Sequence, residues 1–327
     1  MLLPALLIVL FLINISLGSV KIPLADTLKV LTGGEASNSV WADIIFDFRL
    51  TKAFTCLLAG GALALGGLLM QTLFRNPLAG PDVLGLTSGA SLAVALLVLT
   101  GGLGSLYSSS LTIAMAASIG CSGVFMVVLA IAHRIKDNVS LLMIGLMIGA
   151  VTSSIVSVLQ FMSQKEDLQY YIIWTFGNMN SINWSEIGIL AIVIIIGTGI
   201  AMSCIKPLNA WLLGDNYATS MGISLKRSRL LIIIGTSILT GAVTAFCGPI
   251  AFVGLAVPHL TRLLIDTTNH KVLIPAVLLS GAIITLFCDI LTRLPGSDFV
   301  LPINVVTALI GAPVVIWVIV RSKKIRI

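Results

Sequence analysis

GGLLMQTLFRNPLAGPDVLGLTSGA, residues 66–90, decides how this chain is built. Its first part, to Phe74, closes an apolar run that starts near Ala53, and its last part opens another that passes Leu99. Between them stand Arg75, Asn76, Pro77, Gly80, Pro81 and Asp82. An Arg or Asp at the centre of a bilayer costs about 2.5–3.5 kcal/mol, so this polar group belongs outside the hydrocarbon. Asn76-Pro77 suits a helix start, with Asn as cap and Pro at the first helical position. Gly80-Pro81 is punctuation. The stretch reads as a structured polar turn between two membrane spans, either a plain connection or a contact surface.

Composition extends that reading to the whole chain. Charged residues make up 10% and hydrophobic residues 57% of the 327, and mean hydropathy is +1.10. Soluble domains carry about 25% charged residues. Successive apolar runs long enough to cross ~30 Å predict an all-α polytopic membrane protein, a single transmembrane domain over 1–327. The spans are expected near 2–20, 54–74, 84–101, 111–132, 139–161, 187–206, 230–247, 250–265, 272–291 and 303–321. The opening MLLPALLIVLFLINISLG lacks the basic n-region of a signal peptide and reads as the first span. Cys56, Cys121, Cys204, Cys247 and Cys288 lie in or beside apolar runs without a CxxC pair, as small buried side chains do. His133, His259 and His270 are scattered, so no metal site is expected.

With both termini in the cytoplasm, the inside loops hold thirteen of the 19 Lys and Arg, and the outside loops hold nine of the 13 acids. Basic residues favour the cytoplasmic side, which places Arg75 to Asp82 there. The net charge of +6 follows from this topology and gives no reason to invoke nucleic acid. The outer loop 20–52 contains IPLADTLKVL, suited to a short amphipathic helix. The outer segment 162–186 carries Tyr170, Tyr171, Trp174 and Trp184, suited to the interfacial aromatic belt.

Three further features carry candidate function. Gly145, Gly149, Ser153 and Ser157 recur at every fourth position, on one helix face. This small ridge serves either close helix packing or a passage for a solute. Residues 206–229, KPLNAWLLGDNYATSMGISLKRSR, form the longest inner loop. Ala210, Leu213, Tyr217 and Met221 suggest amphipathic turns, which Gly214 and Gly222 divide into two pieces. Their shape suits either a docking partner or anionic lipid. Asp289 and Arg293, four apart on one helix face, suit either a local ion pair or an outward contact by Arg293.

No GxxxxGK[ST] occurs, so the chain carries no P-loop ATPase of its own, and no catalytic constellation is placed. Hardly any ionisable residue falls deep in a span. A stand-alone secondary transporter of a small solute, the alternative reading, needs such groups.

The run GALALGGLLMQTLFRNPLAGPDVLGLTSGASLA, 61–93, resembles the signature of the FecCD permease family, the membrane subunits of type II ABC importers for iron-siderophores, haem and cobalamin. The matching order is Gln71, Asn76-Pro77-Leu78-Ala79, Pro81, Leu84-Gly85 and Gly89-Ala90. Three more blocks are similar to the family's: LGDNYATSMGISLKRSR, GPIAFVGLAVPHLTRLL and LPINVVTALIGAPVVIW. The resemblance implies ten helices with related halves, and a homodimer in the inner membrane working by alternating access. It implies two ATPase subunits that bind ATP and Mg, a periplasmic or lipid-anchored binding protein, and no cofactor on this chain. ATPase coupling falls to 207–228, where Gly214, Asp215, Ala218 and Gly222 match the motif. Binding-protein docking falls to Arg49, Lys52 and Arg293. The translocation pathway is lined from the fifth and tenth spans, by the Gly145 to Ser157 ridge and Asn304. Arg75, Asn76, Pro77 and Pro81 form a cytoplasmic turn, a brace neighbouring the coupling segment that holds the second and third spans in register, with contact to the ATPase at its edge. Departures are Arg49-Leu50-Thr51-Lys52 in place of the family's RLPR, Val300 in place of an acid, and Asn304 in place of a Gly.

Overall fold

The computed structural model describes residues 2–18, 20, 22–100, 110–135, 137–293 and 300–322. Of the basic residues counted by loop, Lys21, Lys136, Lys323, Lys324 and Arg326 lie outside the described residues.

One helix organises the packing. Helix α4 (Thr51–Phe74) is buried continuously from Ala59 to Leu73. Its GALALGG sequence explains why. Without large side chains, neighbouring backbones approach closely. A Cβ on Gly67 would stand 1.6 Å from the Gly254 carbonyl oxygen, and one on Gly60 2.4 Å from that of Gly281. These glycines seat α13 (Val253–Ile265) and α14 (His270–Leu291) directly on α4. Helices α9 (Trp184–Ser203) and α12 (Leu225–Cys247) pack on it as well.

The other main helices are α1 (Leu2–Ser16), α5 (Leu86–Leu99), α6 (Ser110–Arg134), α7 (Asn138–Met162) and α15 (Ile303–Ser322). Short pieces complete the chain: α2 (Leu24–Leu31), α3 (Ser39–Asp43), α8 (Lys165–Thr175), α10 (Ile205–Trp211) and α11 (Asp215–Ser220). Among the described residues, six helices are long and apolar enough to cross a membrane, and α1, α5, α13 and α15 contain shorter apolar stretches. Together they occupy the ten expected positions.

Two local expectations are corrected. The second span does not begin near residue 54. A π-helical stretch, Ile44–Leu50, joins α3 to α4, and the apolar helix runs without a break over Ser39–Phe74. At ~1.5 Å per residue, these 36 residues exceed a ~30 Å hydrocarbon layer and project beyond it. Hydropathy hid this because Arg49 and Lys52, which look like loop residues, are buried within it. Asn76 also caps no helix. Its Oδ1 accepts from the Leu78 amide at 2.9 Å, closing a turn, and the 3-10 turn begins only at Pro81. The amphipathic expectation near residue 24 holds as α2, with Asp26, Thr27 and Val30 buried. Gly248-Pro249 lies between α12 and α13, and Pro258 sits inside α13.

Candidate functional site

The two ends of the bundle carry different polar chemistry. At the end formed by Arg75 and residues 205–229, the long loop folds as two short helices. Gly214 (φ 107°) starts α11 and Gly222 (φ 78°) follows it, conformations that favour glycine. Ala218, on the inward side of α11, is fully buried, while Asp215, Tyr217 and Met221 are exposed.

Two attachments hold this segment to the bundle. The first is Arg75, at the end of α4. Its guanidinium donates to the Trp211 carbonyl at 3.2 Å and pairs with the Asp215 carboxylate. Arg75 adopts a left-handed conformation (φ 48°), which costs a non-glycine residue on the order of 1–3 kcal/mol. That geometry ends α4 and turns the side chain towards α10 and α11. The second attachment is Asn209 of α10. Its Oδ1 contacts the His270 backbone N–H at 2.9 Å and Nδ1 at 2.8 Å, and its Nδ2 donates to Asn269 Oδ1 at 3.0 Å. His270 is buried and its Nε2 lies 3.0 Å from Thr72 Oγ1 of α4. Arg262 of α13 donates to Gln71 Oε1 at 3.2 Å, and Gln71 Nε2 donates to the Leu255 carbonyl at 2.9 Å. The segment is thus tied to α4 and α14, with α13 bonded into the same network.

The turn after α4 is itself clamped. Pro81 is buried against Gly254, where a Cβ would meet its ring at 2.6 Å. The Val83 carbonyl oxygen would stand 2.2 Å from a Cβ on Gly145. Asp82 accepts from the Thr87 hydroxyl. The turn is therefore braced against α7 and α13 as well as against α10 and α11.

At the opposite end, Arg49, Lys52 and Asp289 converge. Lys52 Nζ lies 2.7 Å from Asp289 Oδ1, with side chains 3% and 2% exposed. Asn14 Nδ2 donates to Asp289 Oδ2 at 2.8 Å. Arg49, 4% exposed, donates to the carbonyls of Ile15 and Ser16 at 2.8 Å and of Val20 at 2.5 Å. It satisfies carbonyls that the end of α1 leaves orphaned. Arg49 and Lys52, which the reading from sequence assigns to docking, are both buried and bonded inside the chain. Arg293 stays half-exposed and donates to the Leu17 carbonyl. Asp289 pairs with Lys52 rather than with Arg293.

The small ridge on α7 divides. Gly145 is buried against the Pro81–Leu84 turn and Gly149 is half-buried, whereas Ser153 and Ser157 are exposed. Asn304 is not simply a lining group. Its Oδ1 accepts from the Ala251 amide at 3.0 Å and its Nδ2 donates to the Thr175 carbonyl at 3.4 Å, stitching the start of α15 to the segment before α13 and to the end of α8.

Sequence reasoning missed Asn14, Thr72 and Asn209. Single polar residues in apolar or loop sequence carry no periodic signal. Their roles arise only where helices distant in sequence meet.

Comparison with known proteins supplies the identity behind this geometry. The FecCD transport family model matches residues 6–321. The vitamin B12 import system permease protein BtuC of Klebsiella pneumoniae is 34% identical over 279 residues, 85% of this chain and 83% of that protein. BtuC of Salmonella typhi is 34% identical over 280 residues, covering 86% and 84%. Among solved structures, a metal-chelate type ABC transporter in an inward-facing conformation superposes with a TM-score of 0.85 at 29% identity, over 98% of this chain and 97% of that one. PsaBC from Streptococcus pneumoniae, at 14% identity and a TM-score of 0.51, shares the fold. The chain belongs to the FecCD transport family and is the membrane permease subunit of an ABC importer.

Proposed function

We propose that the chain imports a metal chelate across the bacterial inner membrane, a corrinoid of the vitamin B12 type first and an iron-siderophore or haem second. The B12 import permeases at 34% identity support the corrinoid. Two copies form the pathway. Two ATPase subunits, holding ATP and Mg, bind the end that carries α10 and α11, and a separate binding protein delivers the chelate to the other end. Both termini lie in the cytoplasm with the ATPases, as the loop charges favour. ATP hydrolysis resides on those partners.

The observation that carries the mechanism is the double anchorage of the paired short helices. Gly214 and Gly222 set their angle, and Ala218 packs them inward. Arg75 and Asn209 link them to α4 and α14. Movement of the ATPases at Asp215 then reaches the central helix without passing through a flexible loop. Ser153 and Ser157, exposed on α7, line the pathway; Gly145 and Gly149 hold the inner half of α7 against the turn. Half-exposed Arg293 is the docking cation, with Arg49 and Lys52 supporting the outer end from within.

Reconstitution tests this reading. Proteoliposomes holding the chain, its ATPase and its binding protein are expected to accumulate labelled cobalamin only with ATP. Uptake by the chain alone on an ion gradient would overturn the importer mechanism. ATP-dependent uptake of a ferric siderophore but not cobalamin would reassign the substrate.

A further inference from the structure

Three elements meet beside the buried Lys52–Asp289 pair, around a cavity of about 250 Å³ that the pair shares with Gly177, Asn178 and Ile303. The α8–α9 connection lies directly on the α12–α13 connection. The Asn178 amide donates to the Cys247 carbonyl at 2.8 Å. Two glycines let the backbones touch. Gly177 (φ 73°) and Gly248 (φ 74°) adopt conformations that favour glycine. A Cβ on Gly177 would stand 3.1 Å from the Pro249 carbonyl oxygen, and one on Gly248 2.8 Å from that of Trp174.

The start of α15 closes the joint. The Asn304 amide donates to the Phe176 carbonyl at 3.2 Å. Its side chain accepts from the Ala251 amide and donates to the Thr175 carbonyl. An amide N–H only donates and a carbonyl only accepts, so these partners fix which way the Asn304 side chain faces. A carboxylate could serve the first partner but not the second, and a glycine serves neither. Next to Ala251, Phe252 has φ 67°, a conformation that a non-glycine residue keeps only where its surroundings impose it. Two contacts from α15 impose it: the Asn304 bond to Ala251, and buried Gly311, where a Cβ would stand 2.4 Å from Phe252 Cβ. Residues 304 and 311 are seven positions apart, on one face of α15.

We propose that Asn304 is a positioning residue for transport. It yokes the end of α8, the α12–α13 break and the start of α15 into one body, so that these helix ends change position together. Helix α8 follows α7 after only Ser163 and Gln164, so the yoke also sets the far end of α7 against α15. The role in transport rests on the reading above, in which α7 lines the pathway; the joint itself does not. Asn304 stands where the family pattern has Gly, which would keep the backbone bond to Phe176 and lose both side-chain bonds.

Hydrogen exchange on the full chain in lipid nanodiscs reads the joint without substrate. In Asn304→Gly, exchange of the Ala251 amide should rise roughly 10-fold, the effect of one lost hydrogen bond, and the last turn of α8 should exchange faster too. Asn304→Asp keeps an acceptor for Ala251 but no donor for Thr175. It should restore protection at Ala251 and leave the end of α8 loosened. In proteoliposomes with the ATPase and binding protein, Asn304→Gly should lower the maximal uptake rate several-fold at an unchanged half-saturating concentration of loaded binding protein, and Asn304→Asp should fall between it and wild type. Thermal unfolding confirms that each variant is folded. Unchanged exchange at both places in Asn304→Gly, the same exchange pattern in both variants, or an unchanged maximal rate once the joint is loosened would overturn the proposal. Exchange as expected with no ATP-dependent uptake by wild-type protein would instead refute the transport reading.

Discussion

Arg75 and Asp215, 140 positions apart, meet through guanidinium and carboxylate, joining the end of α4 to the start of α11. Both side chains are about half exposed (49% and 59%), so the pair contributes no more than about 0–1 kcal/mol to stability. Under the proposed coupling role its importance is mechanical. Arg75→Glu is expected to leave the unfolding temperature nearly unchanged and to lower chelate uptake per ATP hydrolysed several-fold. Arg75→Glu with Asp215→Arg should restore part of that ratio. Uptake per ATP measured in proteoliposomes decides the matter, and an unchanged ratio in the single variant would remove Arg75 from the coupling path.

The buried pair at the other end behaves differently. Lys52→Met leaves the Asp289 carboxylate unpaired in the interior, which typically costs about 3–5 kcal/mol. Lys52→Met with Asp289→Leu should recover most of that loss. Thermal unfolding in detergent is the readout. A single variant as stable as wild type would show that Lys52 is not structural and would reopen its assignment to docking.

Close approach at Gly67 gives a steric prediction. Gly67→Ala puts a methyl on the Gly254 carbonyl, and overpacking of this kind costs about 1–3 kcal/mol or more. Nothing lies within 4 Å of a Cβ on Gly199. Gly199→Ala should therefore be neutral or stabilising by up to about 1 kcal/mol, since alanine is the better helix former. Paired melting curves check the contrast.

Accessibility separates the two halves of the α7 ridge. The five native cysteines are all buried, so background reaction with a charged maleimide should be low. Ser153→Cys and Ser157→Cys are expected to react, and to be protected when the chelate is trapped in transit. Gly145→Cys should not react. Labelling of Ser153→Cys that ignores substrate would remove it from the pathway.

The cap of α7 yields a pH dependence. Asp137 accepts from the Val139 and Ser140 amides and from the Ser140 hydroxyl. These bonds, the Ser140 hydroxyl first, hold its carboxyl below the usual value of about 3.8. A depressed folded value means the cap is fully stabilising above the unfolded value of about 3.9 and is lost as pH falls through the lower folded one. Hydrogen exchange at the first turn of α7 should accelerate only below that point, and Asp137→Asn should abolish the dependence. Acceleration that begins near pH 6 would point to a different group.

Much was legible in the chain before any coordinates. Mean hydropathy and apolar run length settle a polytopic helical protein, because a spanning backbone must satisfy its own hydrogen bonds. The Asn76-Pro77-Leu78-Ala79 turn, the divided 206–229 loop and the small residues of α4 are local signals, carried by one stretch each. Partner choice among polar residues was not legible. Asp289 has Arg293 one helical turn away, yet it pairs with Lys52, because glycine contacts between α4 and α14 bring a remote cation closer and bury it. For the same reason Arg49 reads as a surface cation in sequence and is interior in structure. Periodicity reports which face a residue occupies; only the packing of distant helices decides what stands opposite it. So it is with residues 66–90. The sequence by itself determined a structured polar turn at a membrane face. Tertiary structure decided that Arg75 holds α10 and α11, Pro81 seats on Gly254 and Val83 on Gly145, since each of those contacts joins elements at least sixty residues apart.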